Sequence, residues 1–357
     1  MTDPVRDSIL NRMSESGLDS FLVTHPPNIR YLTGYSGENA FAAVTADAVT
    51  LFTYPITREQ AETTVHPGVA VSVIQTAAFE LFGTLGVPFW GGVVGYEVDH
   101  MLCSTYRKTV EVLKGSLLKP VAGIIETLRV VKTDSELNAI ERAQEITDRV
   151  FGELLGMLRE GVPELDIAAE IDYRIRKKGA SGPAFETIVA FGSHSSMPHA
   201  VPDTRTLKNG DIVLFDMGTF LNGYASDMTR TVVFGRAPRE LRERYDLVLK
   251  AQEAGMRAIR AEVRCADAFS AAMGVFEAAG AKEAFIHSLG HGIGLEVHEI
   301  PAISPRSEEV FRNHAVVTVE PGLYFPGWGG IRIEDMVVVT DEGCRSLTHS
   351  PKTLIEV

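Results

Sequence analysis

Ile212-Val213-Leu214-Phe215-Asp216-Met217-Gly218 is an apolar run that ends in a carboxylate, and further along the chain Val316-Val317-Thr318-Val319-Glu320-Pro321-Gly322 repeats the plan. The first run turns at Gly223-Tyr224 and returns through Asp227-Met228 into a strand. The second turns at Gly327-Trp328 and returns through Glu334-Asp335-Met336 into another. β-Branched residues favour the strands, and glycine supplies each tip. The first acid precedes the second by 11 residues in one unit (216 to 227) and by 14 in the other (320 to 334). Strand-turn-strand units often look alike, so either one alone says little. Two of them, each presenting a pair of acids, point to an internally duplicated layout.

Acids inside apolar strands carry the chemical information. A buried carboxylate without a partner is costly and tends to take up a proton. Two like charges ~4 Å apart repel by roughly 4 kcal/mol at an effective dielectric of 20. Four converging acids therefore need cations. Arg230 and Arg332 are near in sequence, but two arginines cannot fill the centre of such a cluster, whereas divalent metals can. A histidine completes the set: His291 stands between Gly290 and Gly292, where glycine permits close backbone approach. His298, in Leu295-Glu296-Val297-His298-Glu299, and His199, in the turn-like Ser196-Met197-Pro198-His199-Ala200, are further candidates. His194 and His287 read as bystanders among the ten histidines. Four carboxylates and one imidazole make a hard, oxygen-rich site of charge −4 that two divalent ions neutralise, with manganese expected and cobalt or zinc also suited. Paired metals can share a water, lower its pKa and polarise a scissile carbonyl.

Outward from this core, Thr133-Asp134-Ser135-Glu136 has the form of a capping box, and apolar residues from Leu137 to Leu158 recur at helical spacing, with Gly161 as the expected stop. A helix after Pro163 carries Ile167, Ile171 and Ile175 on one face. Two more helices are expected from about Arg239 to Arg260 and from Ala266 to Ala279. Helices and strands mix without strict alternation, so this half reads as α+β. Residues 1–125 alternate strand-like runs (Phe21-Leu22-Val23-Thr24, Val49-Thr50-Leu51-Phe52) with helical ones and read as a smaller α/β domain with few clustered histidines or carboxylates. The catalytic domain is expected over 126–357. A length of 357 residues suits two domains. The net charge of −13 repels phosphate backbones and anionic headgroups, arguing against nucleic acid and membrane as partners. Three distant cysteines, Cys103, Cys265 and Cys344, make neither a disulfide scaffold nor a thiolate zinc site. Together with an N-terminus (Met-Thr-Asp-Pro-Val-Arg-Asp) lacking a signal-peptide pattern, they predict a cytoplasmic protein.

Five motifs together resemble the pita-bread metallopeptidases, the family of methionine aminopeptidase, aminopeptidase P and prolidase. They are Phe215-Asp216-Met217-Gly218, Ser226-Asp227-Met228-Thr229-Arg230-Thr231, Gly290-His291-Gly292-Ile293-Gly294, Val319-Glu320-Pro321-Gly322-Leu323-Tyr324 and Arg332-Ile333-Glu334-Asp335, in the family's order. The resemblance implies a pita-bread catalytic domain with Asp216, Asp227, His291, Glu320 and Glu334 as metal ligands. By the same resemblance, Asp227 and Glu334 bridge both ions, Asp216 completes one site, and His291 with Glu320 completes the other. Glu320 is similar to the residue that shuttles the proton of the attacking water. His199 and His298 match the histidines that stabilise the tetrahedral intermediate and contact substrate in the proline-specific branch. Arg332 and Tyr324 are candidate substrate contacts.

The segment ahead of the catalytic half and the motif Asn28-Ile29-Arg30-Tyr31-Leu32-Thr33-Gly34-Tyr35 resemble the prolidase and aminopeptidase P branch, not methionine aminopeptidase. Creatinase shares the two-domain plan but lacks the metal ligands. The activity implied is hydrolysis of an N-terminal Xaa-Pro bond in dipeptides or short peptides, in a homodimer whose first domain contributes to the interface or to a lid. Several prolidases carry an arginine shortly after the His-Glu motif, suited to a dipeptide's free carboxylate; here Ala302 stands in its place. Prolidase and aminopeptidase P both remain open, with compact length favouring the former. A binding protein that has lost catalysis on this fold would typically have lost metal ligands, and this chain keeps them.

Overall fold

The computed structural model describes residues 3–74 and 92–357; Met1 and Thr2 of the N-terminal reading lie outside the described residues. The chain divides into two compact units, Met1–Arg129 and Val130–Val357.

In the first unit, β1 (Ser20–Val23), β2 (Phe41–Thr45), β3 (Val49–Thr53), β4 (Val69–Val73), β5 (Val93–Glu97) and β6 (Leu117–Val121) form one sheet in the order β4-β3-β2-β1-β5-β6. β1, β2 and β3 pair antiparallel, while the β3–β4, β1–β5 and β5–β6 pairs are parallel. The central strands are buried on both faces, which fits sequences that are mostly apolar and carry only serine or threonine besides. Acids and histidines do gather here, contrary to the expectation of few, because the fold joins distant positions. Glu97, 4% exposed, accepts the Thr24 and His25 N–H groups at 2.6 and 2.8 Å and the Asn28 amide at 2.8 Å. His25 stacks on His100, which contacts Glu126 at 3.0 Å. Asn28, the first residue of the Asn28–Tyr35 motif, is the hub: it also donates to Glu126 and accepts from Arg129.

The second unit is α+β. Its helix Asp134–Leu155 starts at Thr133 with both halves of the capping box formed. It stops at Leu155, ahead of the expected Gly161, which instead turns the chain with φ +84°. Helix Glu164–Lys177 buries Ile167, Ile171 and Ile175, and helices Arg239–Ala258 and Cys265–Ala278 pack on each other. The strands are β7 (Gly182–Pro183), β8 (Ile188–Phe191), β9 (Ile212–Met217), β10 (Thr219–Leu221), β11 (Tyr224–Ala225), β12 (Met228–Val233), β13 (Gly290–Gly292), β14 (Glu299–Ile303), β15 (Val316–Val319), β16 (Gly322–Phe325), β17 (Gly329–Arg332), β18 (Asp335–Val339) and β19 (Cys344–Ser346).

The two acid-bearing segments fold alike. β9 pairs antiparallel with β12, and the small hairpin β10–β11 interrupts them; β15 pairs with β18, and β16–β17 interrupts them. The first tip places both Asn222 (φ +50°) and Gly223 (φ +78°) in the left-handed region, as a two-residue hairpin turn requires.

Arg230 fastens the two halves together. It is 1% exposed and donates to Asp335 at 2.7 Å and to the carbonyls of Thr229, Glu334, Ser350 and Pro351. Removing one member of a buried pair costs ~3–5 kcal/mol. Lys352 also reaches Asp335, at 2.7 Å, so the remaining carboxylate would keep one cation. Arg230→Met should therefore lower the unfolding free energy by about 3 kcal/mol, the low end of that range. The check is the denaturant midpoint of the metal-free protein, which should fall.

Candidate metal centre

Strand ends bring the acids together. Asp216, next to last in β9, lies opposite Thr229 of β12. Asp227 immediately precedes β12. Glu334 precedes β18 and donates its N–H to the Thr229 carbonyl at 3.1 Å, while Glu320 follows β15. His291 lies at the middle of β13, and the backbone packs so tightly there that a Cβ at Gly290 or Gly292 would meet a carbonyl oxygen at 2.1 or 2.2 Å. The glycines flanking His291 are required by this close approach, as the sequence suggested.

Asp216, Asp227, His291, Glu320, Glu334, His199, His298 and Arg332 all line one cavity of about 530 Å³. Tyr324 stands behind that wall: its hydroxyl accepts from Arg332 Nη1 at 2.7 Å and contacts His287 Nε2 at 3.1 Å. His287, read from sequence as a bystander, lines the cavity as well. The other bystander, His194, is buried against Glu164.

Hydrogen-bond logic fixes several ring states. His291 Nδ1 lies 3.0 Å from the Gly292 carbonyl, which can only accept, so Nδ1 carries the hydrogen. Nε2 then turns its lone pair toward the acids, 3.7 Å from Asp227 Oδ2 and 3.4 Å from Glu320 Oε1. A lone pair facing carboxylate oxygens is unfavourable unless a cation lies between them. The same argument on His287, whose Nδ1 meets the Ser288 carbonyl at 2.7 Å, makes the Tyr324 hydroxyl donate to Nε2. Burial and then Arg332 push the His287 pKa down to about 4, and burial pushes Tyr324 up to about 12, so both stay neutral.

The acids are short of protein donors. Asp216 Oδ2 accepts from Arg332 Nη2 at 2.6 Å, but its buried Oδ1 has no hydrogen-bond partner among the described residues. Glu334 accepts from the Thr229 hydroxyl at 2.7 Å and Glu320 from the Thr318 hydroxyl at 3.3 Å. Burial, then the charges of Glu334, Asp216 and Glu320, holds the Asp227 carboxyl well above the carboxylate range. Burial, then Glu320 and Asp216, does the same to Glu334. Glu320 is pushed up to about 7 by burial, against the pull of Arg332. Ligand atoms of Asp227, His291 and Glu334 lie within 4.8 Å of one another. An orphaned oxygen, crowded acids that prefer protons and an imidazole lone pair aimed among them all fit divalent cations.

Sequence reading missed Thr229, Thr318 and His287. Thr229 donates to Glu334 and accepts from Arg332 Nε at 2.9 Å; Thr318 accepts the His291 N–H and donates to Glu320. A signal was present: Thr229 is two residues past Asp227 and Thr318 two before Glu320, spacing that shares a strand face.

The metallopeptidase family M24 profile matches residues 138–341, and the creatinase/prolidase N-terminal domain profile matches residues 6–131. The chain is 33% identical over 355 residues to the Xaa-Pro dipeptidase of Pyrococcus furiosus, covering 98% of this chain and 99% of that one. It is similar in structure to an Xaa-Pro dipeptidase from Bacillus anthracis, with a TM-score of 0.96, 34% identity and 99% of each chain covered. An X-Pro aminopeptidase from Thermotoga maritima gives a TM-score of 0.90 at 32% identity, covering 97% of this chain and 100% of that one.

The raised acid pKa values make metal-free stability depend on pH. Between the unfolded acids' pKa, near 4, and the folded values, the native state holds protons that the unfolded state releases. Stability therefore falls as pH rises. For Glu320 alone, a rise from 4.5 to about 7 corresponds to on the order of 3 kcal/mol. The metal-free protein should unfold at a lower temperature at pH 8 than at pH 5.5, and added manganese should reverse the order. Calorimetry at both pH values, with and without metal, checks this.

Proposed function

The chain belongs to metallopeptidase family M24, and from that premise we propose that it hydrolyses the Xaa-Pro bond at the N-terminus of dipeptides and short peptides, as a prolidase-like Xaa-Pro dipeptidase. The observation that supports this best is the shared cavity: four acids, His291, His199 and His298 all face it. A binding protein without catalysis has no need of acids poised to exchange protons for cations.

Asp216, Asp227, His291, Glu320 and Glu334 would hold two divalent ions. Four carboxylates with one imidazole make an oxygen-rich set that favours manganese. When bound, two divalent ions supply a water of lowered pKa and polarise the scissile carbonyl. The remaining work belongs to side chains. Glu320 is the proposed proton carrier, taking a proton from the attacking water and returning it to the leaving nitrogen. His199 and His298 are donors for the oxygen that gains charge and for the peptide's polar atoms. Burial and then His291 lower the pKa of His298, so it acts as a neutral N–H donor. Arg332 has its guanidinium engaged by Asp216, Tyr324, Thr229 and the Pro198 carbonyl, so its proposed part is to orient Asp216 and to edge the substrate cavity, with Tyr324 behind it.

One observation favours the second reading, aminopeptidase P. Ala302, the cross-strand partner of His291, offers no charge for a dipeptide's carboxylate, and Arg332 is the one Lys or Arg among the described residues lining the cavity. Longer peptides need no such grip. A homodimer is also proposed. Leu102, Tyr106 and Val110 recur every fourth residue along helix Cys103–Val112 and its N-cap, 70%, 36% and 46% exposed, an apolar stripe suited to a second copy. Three unpaired cysteines support a reducing, cytoplasmic setting.

With manganese, Ala-Pro should be cleaved, Ala-Pro-Xaa peptides cleaved if the second reading holds, and Met-Ala peptides left intact. Release from none of them by metal-loaded protein would end both readings. Asp227→Ala and Glu334→Ala should each abolish metal retention and turnover, read by elemental analysis alongside the assay. His199→Ala should keep its metal and lose ~10²–10³-fold in kcat.

A further inference from the structure

We propose that Glu164, remote from the cavity, is a positioning residue that sets the His199 imidazole in place through the loop that carries it; this rests on the role given to His199 above. Glu164 opens the helix Glu164–Lys177 and is fully buried. Its carboxylate accepts the N–H of Phe191 at 2.7 Å, the N–H of Asp203 at 3.1 Å, and His194 Nδ1 at 2.9 Å to each oxygen. Phe191 ends β8, His194 lies in the short 3₁₀ turn Gly192–Ser196, and Asp203 marks where the excursion returns. One carboxylate thus ties both ends and the inner turn of the segment 192–202. Backbone bonds from Glu164 N–H to the Arg205 carbonyl (3.0 Å) and from Leu165 N–H to the Asp203 carbonyl (3.1 Å) clamp the same point.

The turn transmits this anchoring to His199. The His194 carbonyl accepts from Met197 N–H at 3.1 Å, and the Met197 carbonyl accepts from Ala200 N–H at 3.2 Å, enclosing His199 in consecutive turns. The Ser195 hydroxyl accepts from Gly330 N–H at 2.8 Å. Among the described residues none hydrogen-bonds the His199 ring, which faces the cavity from an exposed position. The ring's location is therefore set by the backbone beneath it, which Glu164 fastens at both ends while Gly330 and Arg332 hold it at Ser195 and Pro198.

Glu164, His194 and Asp203 also present atoms within 4.8 Å of one another, as a metal site would. The donors argue otherwise. Two backbone N–H groups point at the Glu164 carboxylate, and His194 Nδ1 must carry a hydrogen to contact an acceptor at 2.9 Å. A cation there would face those hydrogens. Asp203 meanwhile accepts the Arg205 N–H at 2.6 Å. The cluster is a hydrogen-bonded clasp.

A displacement of about 1 Å at a reacting group costs on the order of 10²-fold in rate. The test is a double-mutant cycle on the full-length, manganese-loaded protein with Ala-Pro, combining Glu164→Gln with His199→Ala. Glu164→Gln should lower kcat by about ten- to a hundredfold with KM and metal content little changed, yet cause no further loss once His199 is alanine. Additive losses, or a wild-type kcat for Glu164→Gln, would overturn the proposal. If Glu164→Gln does not fold, His194→Ala takes its place in the cycle with the same expectation. A wild-type rate for His199→Ala alone would remove the histidine's role and this proposal with it, whereas additivity removes only Glu164's part. Independently of substrate, the His199 ring Cε1–H resonance, identified by its loss in His199→Ala, should shift in the clasp variant of the metal-free protein; an unmoved resonance overturns the proposal.

Discussion

Mutual repulsion of acids gathered on one cavity wall is the constraint around which the second unit is organised. Burial first, then the charges of neighbouring acids, hold the carboxyl pKa values of Asp227 and Glu334 well up, and Glu320 is raised to about 7. Such a cluster would relax apart in a soft fold. Here each acid sits in or beside a strand held in a ladder: β8-β9-β12 for Asp216 and Asp227, and β13-β15-β18 for Glu320 and Glu334. Arg230 then locks the second strand of each pair to the other, using Asp335 and the backbone instead of the acids. The cation nearest the cluster, Arg332, touches only Asp216 among them. The protein thus brings the charges together without neutralising them, which leaves the neutralising step to ions from solution.

Threonines mediate between these charges. Each has one hydrogen to give and lone pairs to receive, so Thr229 links Arg332 to Glu334 and Thr318 links the His291 backbone to Glu320. A hydroxyl orients a carboxylate without shifting the site's net charge, as a lysine would. Thr231 plays a similar part with the backbone of Arg332, accepting its N–H at 3.2 Å and donating to its carbonyl at 2.9 Å. Asp227 just ahead of β12, with Thr229 and Thr231 at the next alternate positions, is how one segment both offers a candidate ligand and supports its neighbour's.

Much of this was legible in the sequence because strands are periodic and acids are out of place in them. The duplicated hairpins, the glycines around His291 and the helix starting at Thr133 each followed from local chemistry, and the M24 profile covers the same half of the chain. What escaped notice depends on long-range contact. His287 has no distinguishing neighbours in sequence, and its place in the cavity wall comes from Tyr324, reached only once β16 folds back. Helix Asp134–Leu155 ends early because a glycine at Gly156 serves as its cap, although the apolar period runs on to Leu158 and buries that residue after the helix has stopped. In the first unit, Glu97, Glu126, His25 and His100 are far apart in the chain, so composition could not foretell their assembly around Asn28.

Buried acids in this protein come in two kinds, and counting N–H donors separates them. Glu97 is met by two backbone N–H groups and the Asn28 amide, and Glu164 by two backbone N–H groups and an imidazole. For both, the fold itself supplies N–H donors to the carboxylate oxygens. Among the described residues, Glu320 and Glu334 each receive a single hydroxyl, and Asp216 keeps one oxygen unpartnered. Proximity of oxygen and nitrogen atoms groups Glu164 with His194 and Asp203 as readily as it groups Asp227 with His291 and Glu334. Only the hydrogens distinguish them: in the first set they point at the carboxylate, and in the second the imidazole offers a lone pair. An acid ringed by donors holds structure in place, while an acid left short of them is ready to bind a cation.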